Sequence, residues 1–382
     1  NESLMGALSR VLKEDYKRSM DLVVNLMYIF FSFSNFSQLH GALLTNRIGN
    51  ETMRVIELEI KRYALRMKEM QTMTRIAALQ GRGEEVPAEL WAALQSGRKK
   101  SSRKRRGGSE GKSSGGGEDS SQRGKSKERE RRIDIERERS KVRQFIKKQD
   151  KLLFVCFHIL MNIAEDVQIE RKVVKRKCVE FLSAVLDRTN AELLILSVNF
   201  LKKLSIFEEN KNRMVEAGVV PKLVKFIPCS NKALMQSVCR LLLNLSFDGN
   251  LRDQMVKSSL IPKMVDLLKH APFRQISLKI LYHLSMDDRC KSMFTYTDSI
   301  PITMQLLVNF PNSKIPIELV ALTINLSHNA RNAELLCKDG GLKKLFHRVL
   351  RYRDVLLMKV LRNVSQYTYD KTCDADNASS KA

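Results

Sequence analysis

The phrase Leu243-Asn244-Leu245-Ser246 decides the fold, because variants of it occur six times between residues 160 and 365. The apolar residue after its polar position recurs at intervals of 41, 41, 39, 42 and 38 residues. A second landmark, Val220-Pro221, recurs as Ile261-Pro262, Ile300-Pro301 and Gly341-Leu342, and it advances in nearly the same steps. Two landmarks that advance together indicate a true internal repeat of about forty residues.

Each repeat is predicted to contain three helices. Proline suits the first turn of a helix, where its missing N–H has no partner to lose, so the second landmark marks the start of a second helix. The longer third helix then ends in the Asn-Leu-Ser phrase. Units of this length are typical of the armadillo/HEAT class, in which stacking builds one continuous core. We therefore predict an all-α protein, an armadillo-like α-solenoid forming a right-handed superhelix of roughly 40-residue three-helix repeats, interrupted by a disordered basic linker.

Equivalent positions down the third helix separate a core face from an open face. The residues three before and one after the polar position are apolar in every copy, and they share one helix face that must point into the core. The polar position itself and the position four before it are predicted to line a concave partner-binding groove. Its proposed members are Asn162, Asn199, Lys203, Arg240, Asn244, Lys279, His283, Asn325, Lys359 and Asn363.

Two roles remain open for these polar residues. An Asn amide can hold the backbone of an extended chain, and the basic residues favour an acidic partner segment, either extended or helical. Alternatively, each Asn satisfies a neighbouring helix end across the repeat junction. The serines that recur once per repeat are predicted to act at helix ends and not as nucleophiles.

The charge of the chain is concentrated in one segment. The whole sequence carries 67 Lys and Arg against 42 Asp and Glu, and residues 98–148 alone hold 20 against 8. A Gly/Ser/Arg-rich composition cannot bury enough apolar area to offset chain entropy. We predict a helical block at 1–80, a disordered basic linker at 81–127, a solvated charged helix at 128–150, the solenoid at 151–368 and a tail at 369–382.

The linker contains a basic cluster whose members are Arg98, Lys99, Lys100, Arg103, Lys104, Arg105 and Arg106. This cluster is consistent with a nuclear localisation signal, a nucleic-acid arm, a weak electrostatic contact with the acidic microtubule surface, or a solubilising linker. It lacks interleaved aromatic residues for base stacking, so no specific nucleic-acid recognition is predicted.

Several functional classes are not expected. No His or Cys pair has metal-ligand spacing, and no P-loop, dinucleotide or nucleophile-elbow motif is present, so we predict no metal, no cofactor and no enzymatic activity. The seven cysteines include no C-x-x-C pair, which favours a reducing compartment. The apolar run from Met20 to Phe33 is too short for a membrane span and is predicted to be a buried helix.

Long irregular strings in the sequence resemble one known family. They include Tyr28-Ile-Phe-Phe31-Ser-Phe33-Ser-Asn35-Phe36, Phe200-Leu-Lys-Lys-Leu-Ser-Ile-Phe207, Arg240-Leu-Leu-Leu-Asn-Leu-Ser-Phe-Asp248 and Leu281-Tyr-His-Leu-Ser-Met-Asp-Asp-Arg289. These strings resemble the kinesin-associated protein family, the armadillo-repeat, non-motor accessory subunits of heterotrimeric kinesin-II. The resemblance extends over roughly residues 20–75 and 150–366.

The resemblance implies a non-enzymatic adaptor that binds the tails of the two kinesin-II motor chains and links them to cargo. It further implies intraflagellar transport proteins as partners, and a location in the cytoplasm, the cytoskeleton and the cilium or flagellum. An importin- or catenin-like armadillo adaptor that binds extended peptides is the main alternative. The single tryptophan, Trp91, lies outside the groove columns, which argues against a nuclear-signal receptor. A nucleic-acid-binding protein driven by net charge is a third possibility.

Overall fold

The structure, a computed structural model, describes residues 3–16, 19–99, 120–164, 174–175, 177–311 and 313–379. The structure describes the side-chain surroundings of all of these residues except 95–99, 120–132 and 368–379. The regular elements in this part of the chain are all helices, as predicted. The chain divides into an N-terminal unit, Asn1–Arg176, and a C-terminal unit, Lys177–Ala382.

The N-terminal unit contains six α-helices and a short 3₁₀ turn at Ser37–Leu39 among its described residues. The helices are α1 (Leu4–Asp15), α2 (Met20–Ser34), α3 (His40–Thr45), α4 (Ile48–Gly81), α5 (Ala88–Lys99) and α6 (Ser120–Ile163). Helix α2 buries one face, formed by Val23, Leu26, Met27, Phe30 and Ser34, in line with the prediction for this apolar run.

Helices α4 and α6 form a long antiparallel pair. A Cβ placed on Gly49 would meet Ile163 at 3.0 Å, and the side chain of Gln149 bonds Glu59. Further along, Met73 and Ile76 of α4 share a buried cluster with α6. At 34 and 44 residues, both helices are far longer than the helices of an armadillo repeat.

The charged helix expected at 128–150 is part of α6, and it is not simply solvated. Ile135, Val142 and Gln149 are buried at seven-residue spacing, which forms a coiled-coil-like seam against α4. The alternating charges around them lie on the other faces of the same helix.

The segment predicted to be a disordered linker at 81–127 contains regular structure in its described part. Helix α5 runs through Ala88–Lys99, and its Leu90, Trp91 and Leu94 pack against the cluster of Met73 and Ile76. An apolar stripe at i, i+1 and i+4 on helix-forming residues outweighs the local polar composition. Helix α6 begins at Ser120, and residues 100–119 lie outside the described residues.

The described part of the C-terminal unit repeats short helices in a fixed order. The second helices of successive repeats are α7 (Cys178–Val185), α10 (Val219–Val224), α13 (Leu260–Leu267), α16 (Ser299–Val308) and α19 (Gly341–Tyr352). The first helices are α9 (Glu208–Glu216), α12 (Gly249–Lys257), α15 (Asp288–Phe294) and α18 (Ala330–Cys337). The third helices are α8 (Ala191–Leu204), α11 (Lys232–Leu245), α14 (Ala271–Leu284), α17 (Ile317–Ser327) and α20 (Val355–Ser379).

Local sequence explains these boundaries. The second helices that start at Val219 and Leu260 follow a left-handed residue, Gly218 and Ser259, and each has its proline within the first turn. The third helices α8 and α11 begin after Asn190 and Asn231, whose side chains accept from the backbone N–H three residues on. Three-helix repeats with these landmarks confirm the predicted armadillo-like fold class.

Candidate partner-binding surface

The third helices of the C-terminal unit pack side by side in chain order, α8 on α11, α11 on α14, α14 on α17 and α17 on α20. Their two predicted core columns are fully buried, which confirms the assignment of the inward face. The residues three before the polar position are Phe200, Leu241, Ile280, Leu322 and Val360, and each is 0% exposed. The opposite, outward face of these helices is the candidate partner-binding surface.

A ladder of side-chain hydrogen bonds crosses this face from each repeat to the one before it. The Nδ2 of Asn244 donates to Ser205 Oγ (3.4 Å), that of Asn325 donates to Ser285 Oγ (3.0 Å), and that of Asn363 donates to Ser327 Oγ (3.0 Å). We call this set of contacts the Asn–Ser ladder. It shows that the asparagine amides satisfy groups across the repeat junction, the second of the two roles considered from the sequence.

The serines of the ladder also act at the ends of their own helices, as predicted. Each hydroxyl donates to the carbonyl three residues earlier, for example Ser205 to Lys202 and Ser327 to Ile324, both at 2.7 Å. The single hydroxyl proton is thereby used within the helix. The oxygen lone pair is left to accept from the next repeat.

His283 takes the asparagine position in one rung of the ladder. Its Nδ1 lies 2.7 Å from Ser246 Oγ, and the hydroxyl of Ser246 donates to Leu243 O, so His283 Nδ1 must carry the donated proton. Burial, reinforced by the positive charges of Arg252 and Lys279, lowers the pKa of His283. The ring is therefore held as the neutral Nδ1–H tautomer.

The N-terminal unit contains the same rung. Asn162, near the end of α6, donates through Nδ2 to Ser34 Oγ at 3.0 Å, and Ser34 in turn donates to Phe31 O at 2.8 Å. Helix α2 therefore occupies the place of a third helix, and α6 occupies the place of the next one. Arg47, in a left-handed conformation before α4, matches the residues that precede the second helices of the other unit. The parts of α4 and α6 that exceed the length of a repeat helix are thus an insertion between the start of the second helix and the end of the third helix of one repeat.

The remaining predicted groove residues occupy different environments. Asn199, Arg240 and Lys359, in the column four before the polar position, are exposed on the third helices. Lys279 in the same column lies 3.6 Å from Glu318 Oε1, and Lys203 is half-buried. Asn363 is buried at 3% exposure and also lies 3.2 Å from His328 Nε2.

The structure describes only part of the basic cluster of the predicted linker. Arg98 and Lys99 form the end of α5. Lys100, Arg103, Lys104, Arg105 and Arg106 lie outside the described residues.

Sequence reasoning missed one row of side chains on this surface. Ile206, Phe247 and Met286 each follow directly after the serine of a ladder rung, and they are 71%, 67% and 55% exposed. The ring of Phe247 lies 4.4 Å from that of His283, centroid to centroid. Extending the column comparison by two positions beyond the apolar core residue would have revealed this row.

Other kinds of site are not evident in the described part of the chain. Its residues include no group of three or more His, Cys, Asp or Glu side chains that could hold a metal ion. The six cysteines that are described form no disulfide, and burial raises the pKa of Cys239 to about 12, so it packs as a protonated apolar side chain.

A helix that spans a membrane must be both long and apolar enough, and no single helix among the described residues meets both requirements. Helix α2 and the segment Ser37–Thr45, bent by 113°, satisfy them only when counted together.

The stacked three-helix repeats, joined by the Asn–Ser ladder, define an armadillo-type helical repeat protein. The family model for kinesin-associated protein (KAP) matches residues 1–375. The chain therefore belongs to the kinesin-associated protein family, as its sequence resemblance indicated. Armadillo proteins of this family are scaffolds, in agreement with the expectation of an adaptor.

Solved structures with a similar arrangement are only distantly related in sequence. An engineered protein is 17% identical over 58% of this chain and 92% of its own, with a TM-score of 0.48. A computationally designed armadillo repeat protein for modular peptide recognition is 14% identical over 58% and 93%, with a TM-score of 0.47. A structure from a study of the cadherin–β-catenin interaction is 18% identical over 56% of this chain and 44% of its own, with a TM-score of 0.48.

Proposed function

We propose that this protein is the non-enzymatic adaptor subunit of a heterotrimeric kinesin-II motor, and that the outward face of its C-terminal third helices binds the tails of the motor chains. Family membership supports the kinesin partner. The observation that carries the location is the row of third helices α8, α11, α14, α17 and α20, whose outward column presents exposed Asn199, Arg240 and Lys359. Side chains of this kind favour acidic segments of a partner.

The proposal includes the transport role expected from the family. The adaptor links the motor to cargo, including intraflagellar transport proteins, and acts in the cytoplasm, on the cytoskeleton and in the cilium or flagellum. A fluorescent full chain should move along axonemes together with the motor. A uniform cytosolic distribution in ciliated cells with active motor would contradict this part of the proposal.

A peptide-clamping adaptor of the importin or catenin type has weaker support. In such a mode the asparagine amides would bond the main chain of an extended peptide. Here the Nδ2 groups of Asn244, Asn325 and Asn363 donate to serines of the preceding repeat. Each rung occupies one of the two Nδ2 protons of its asparagine and fixes the orientation of the amide, so fewer donors are left for the main chain of an extended peptide.

The direct test is co-purification of the full chain with the paired tails of the two motor chains, followed by light-scattering mass. We expect one copy of each of the three chains. A matched variant that lacks residues 100–119 tests the basic cluster separately. Its complex should survive, whereas its sedimentation with microtubules at low salt should weaken. Absence of any complex with the full chain would overturn the proposal.

A further inference from the structure

Two rows of outward side chains run across helices α8, α11 and α14. The first is the exposed apolar row of Ile206, Phe247 and Met286. The second is the column of Asn199, Arg240 and Lys279, each seven residues earlier in its repeat. The basic row lies one turn before the ladder on the same face of the third helices. The apolar row follows directly after the ladder serines, just beyond the ends of these helices at Leu204, Leu245 and Leu284. The two rows therefore border the Asn–Ser ladder at its two sides, roughly 10 Å apart. We call them the apolar row and the basic row.

Hydrogen bonds across the repeat junctions occupy part of the donors on the floor between the two rows. The Nδ2 of Asn244 is bonded to Ser205, and the Nδ1 proton of His283 is bonded to Ser246. An extended peptide on this floor would leave main-chain groups poorly satisfied, and burying such groups is costly. A helix satisfies its own main chain, and its width with side chains, about 10–12 Å, matches the separation of the rows.

The spacing between successive repeats also fits a helical partner. Packed helices lie about 8–10 Å apart, which sets the step from Ile206 to Phe247 and from Phe247 to Met286. Seven residues of an α-helix rise about 10.5 Å. Apolar side chains at i, i+7 and i+14 of a partner helix can therefore contact the three members of the apolar row in turn.

We propose that the motor-tail segment bound by the C-terminal unit is an amphipathic α-helix of about four turns, lying across α8, α11 and α14. Its apolar seam, repeating every seven residues, packs on Ile206, Phe247 and Met286, and acidic residues along one edge face Arg240 and Lys279. Phe247 is already held against the neutral ring of His283, 4.4 Å away, so it is oriented before the partner binds. This inference rests on the proposed function, because the helix belongs to a motor tail.

The first test measures the affinity of the full chain for the paired motor tails. The triple substitution Ile206→Ala, Phe247→Ala and Met286→Ala should raise the dissociation constant roughly 30-fold, as expected for exposed apolar anchors at the centre of an interface. The melting temperature should stay close to that of the wild type, because all three side chains are exposed. The matched control is Tyr296→Ala, which removes an 89% exposed aromatic residue outside the row. Its affinity should remain close to that of the wild type.

Unchanged affinity of the triple variant, with the wild type binding the tails, would overturn the inference and leave the proposed function standing. If the wild type itself fails to bind the tails, the proposed function fails and the inference fails with it.

The second test separates a helix from an extended segment. Hydrogen exchange identifies the stretch of tail that the full chain protects, and a proline is then placed in its middle turn. Proline breaks a helix interior but is tolerated in an extended chain. Affinity should fall more than about tenfold for a helix, since an interior proline removes a main-chain hydrogen bond and clashes with the preceding turn. Retained affinity would show that the tail binds in an extended form.

Discussion

The two units of this protein contain the same repeat junction in very different chain contexts. In the C-terminal unit, the asparagine and serine of a rung are 36 to 40 residues apart. In the N-terminal unit, the rung between Asn162 and Ser34 spans 128 residues, because the paired helices α4 and α6 are inserted between its ends. A repeat junction therefore tolerates a long insertion when the inserted chain forms its own buried seam and returns to the same place.

The largest loss of stability that would test this comparison is expected in the buried seam between α4 and α6. Gln149 is fully buried, and its Nε2 lies 2.7 Å from Glu59 Oε2. Gln149→Ala leaves a cavity and removes a donor from a buried carboxylate, so we expect the free energy of unfolding to fall by about 3 kcal/mol. Urea denaturation followed by circular dichroism measures this loss.

A double variant provides the control for the seam. Glu59→Met combined with Gln149→Leu removes both polar partners together. It also releases Arg62 from its ion pair with Glu59, but the Arg62 side chain reaches water, so most of the lost stability should return. A loss below about 1 kcal/mol in Gln149→Ala would show that the polar pair contributes little to the seam.

Substituting the asparagine of a rung should lower the free energy of unfolding by less than Gln149→Ala does. The loss should be the same in the two units. Asn162→Ala and Asn325→Ala each remove the amide donor to a serine. Asn162 also loses an exposed bond to Asn35 Oδ1 (3.0 Å), which contributes little in water, so each variant should cost about 1 kcal/mol. The aspartate variants should cost more, because they place an acceptor against a serine oxygen whose proton is already donated. A clear difference between Asn162→Ala and Asn325→Ala, measured by the same denaturation, would break the equivalence of the junctions.

The smallest effect concerns the pH dependence of the rung that contains His283. Its lowered pKa means that the unfolded chain binds a proton near pH 6.5 while the folded chain does not. The stability from this site is thus present above pH 6.5 and is lost as pH falls toward the lowered native pKa. His283→Asn keeps the donor to Ser246 without titrating, so its melting temperature should fall less than that of the wild type between about pH 7.5 and 5.5. If the melting temperatures of His283→Asn and of the wild type fall equally over this pH range, His283 is not the group responsible for the pH dependence.

Much of the fold could be predicted from the sequence because the repeat allows columns to be compared within one chain. The buried Phe200 and Leu241 and the proline-opened second helices follow from period and turn chemistry alone. The rung between Ser34 and Asn162 does not, because Ser34 lies in an aromatic run without the Asn-Leu-Ser phrase. The buried seam of α6 could not be predicted from the sequence either, since Gln149 is polar and alternating charges surround Ile135 and Val142.

The candidate site was predictable only in outline. A column of asparagines indicates a shared position, but it does not show whether an amide faces a neighbouring serine or a ligand. That choice depends on the distance between stacked helices, which only the structure provides. The apolar row was overlooked because Phe247 and Met286 lie beyond the helix ends, where exposed apolar residues have no periodic pattern to mark them.

The central claim, that the basic side chains on the outward face of the third helices bind acidic tail segments, is tested most directly by charge reversal. The measurement is the dissociation constant of the paired motor tails for the full chain carrying Arg240→Glu, Lys279→Glu and Lys359→Glu, with Lys338→Glu as an exposed control outside the third helices. The account predicts at least about tenfold weaker binding by the triple variant with little change in melting temperature, and affinity close to wild type for the control. Wild-type affinity in the triple variant would contradict it.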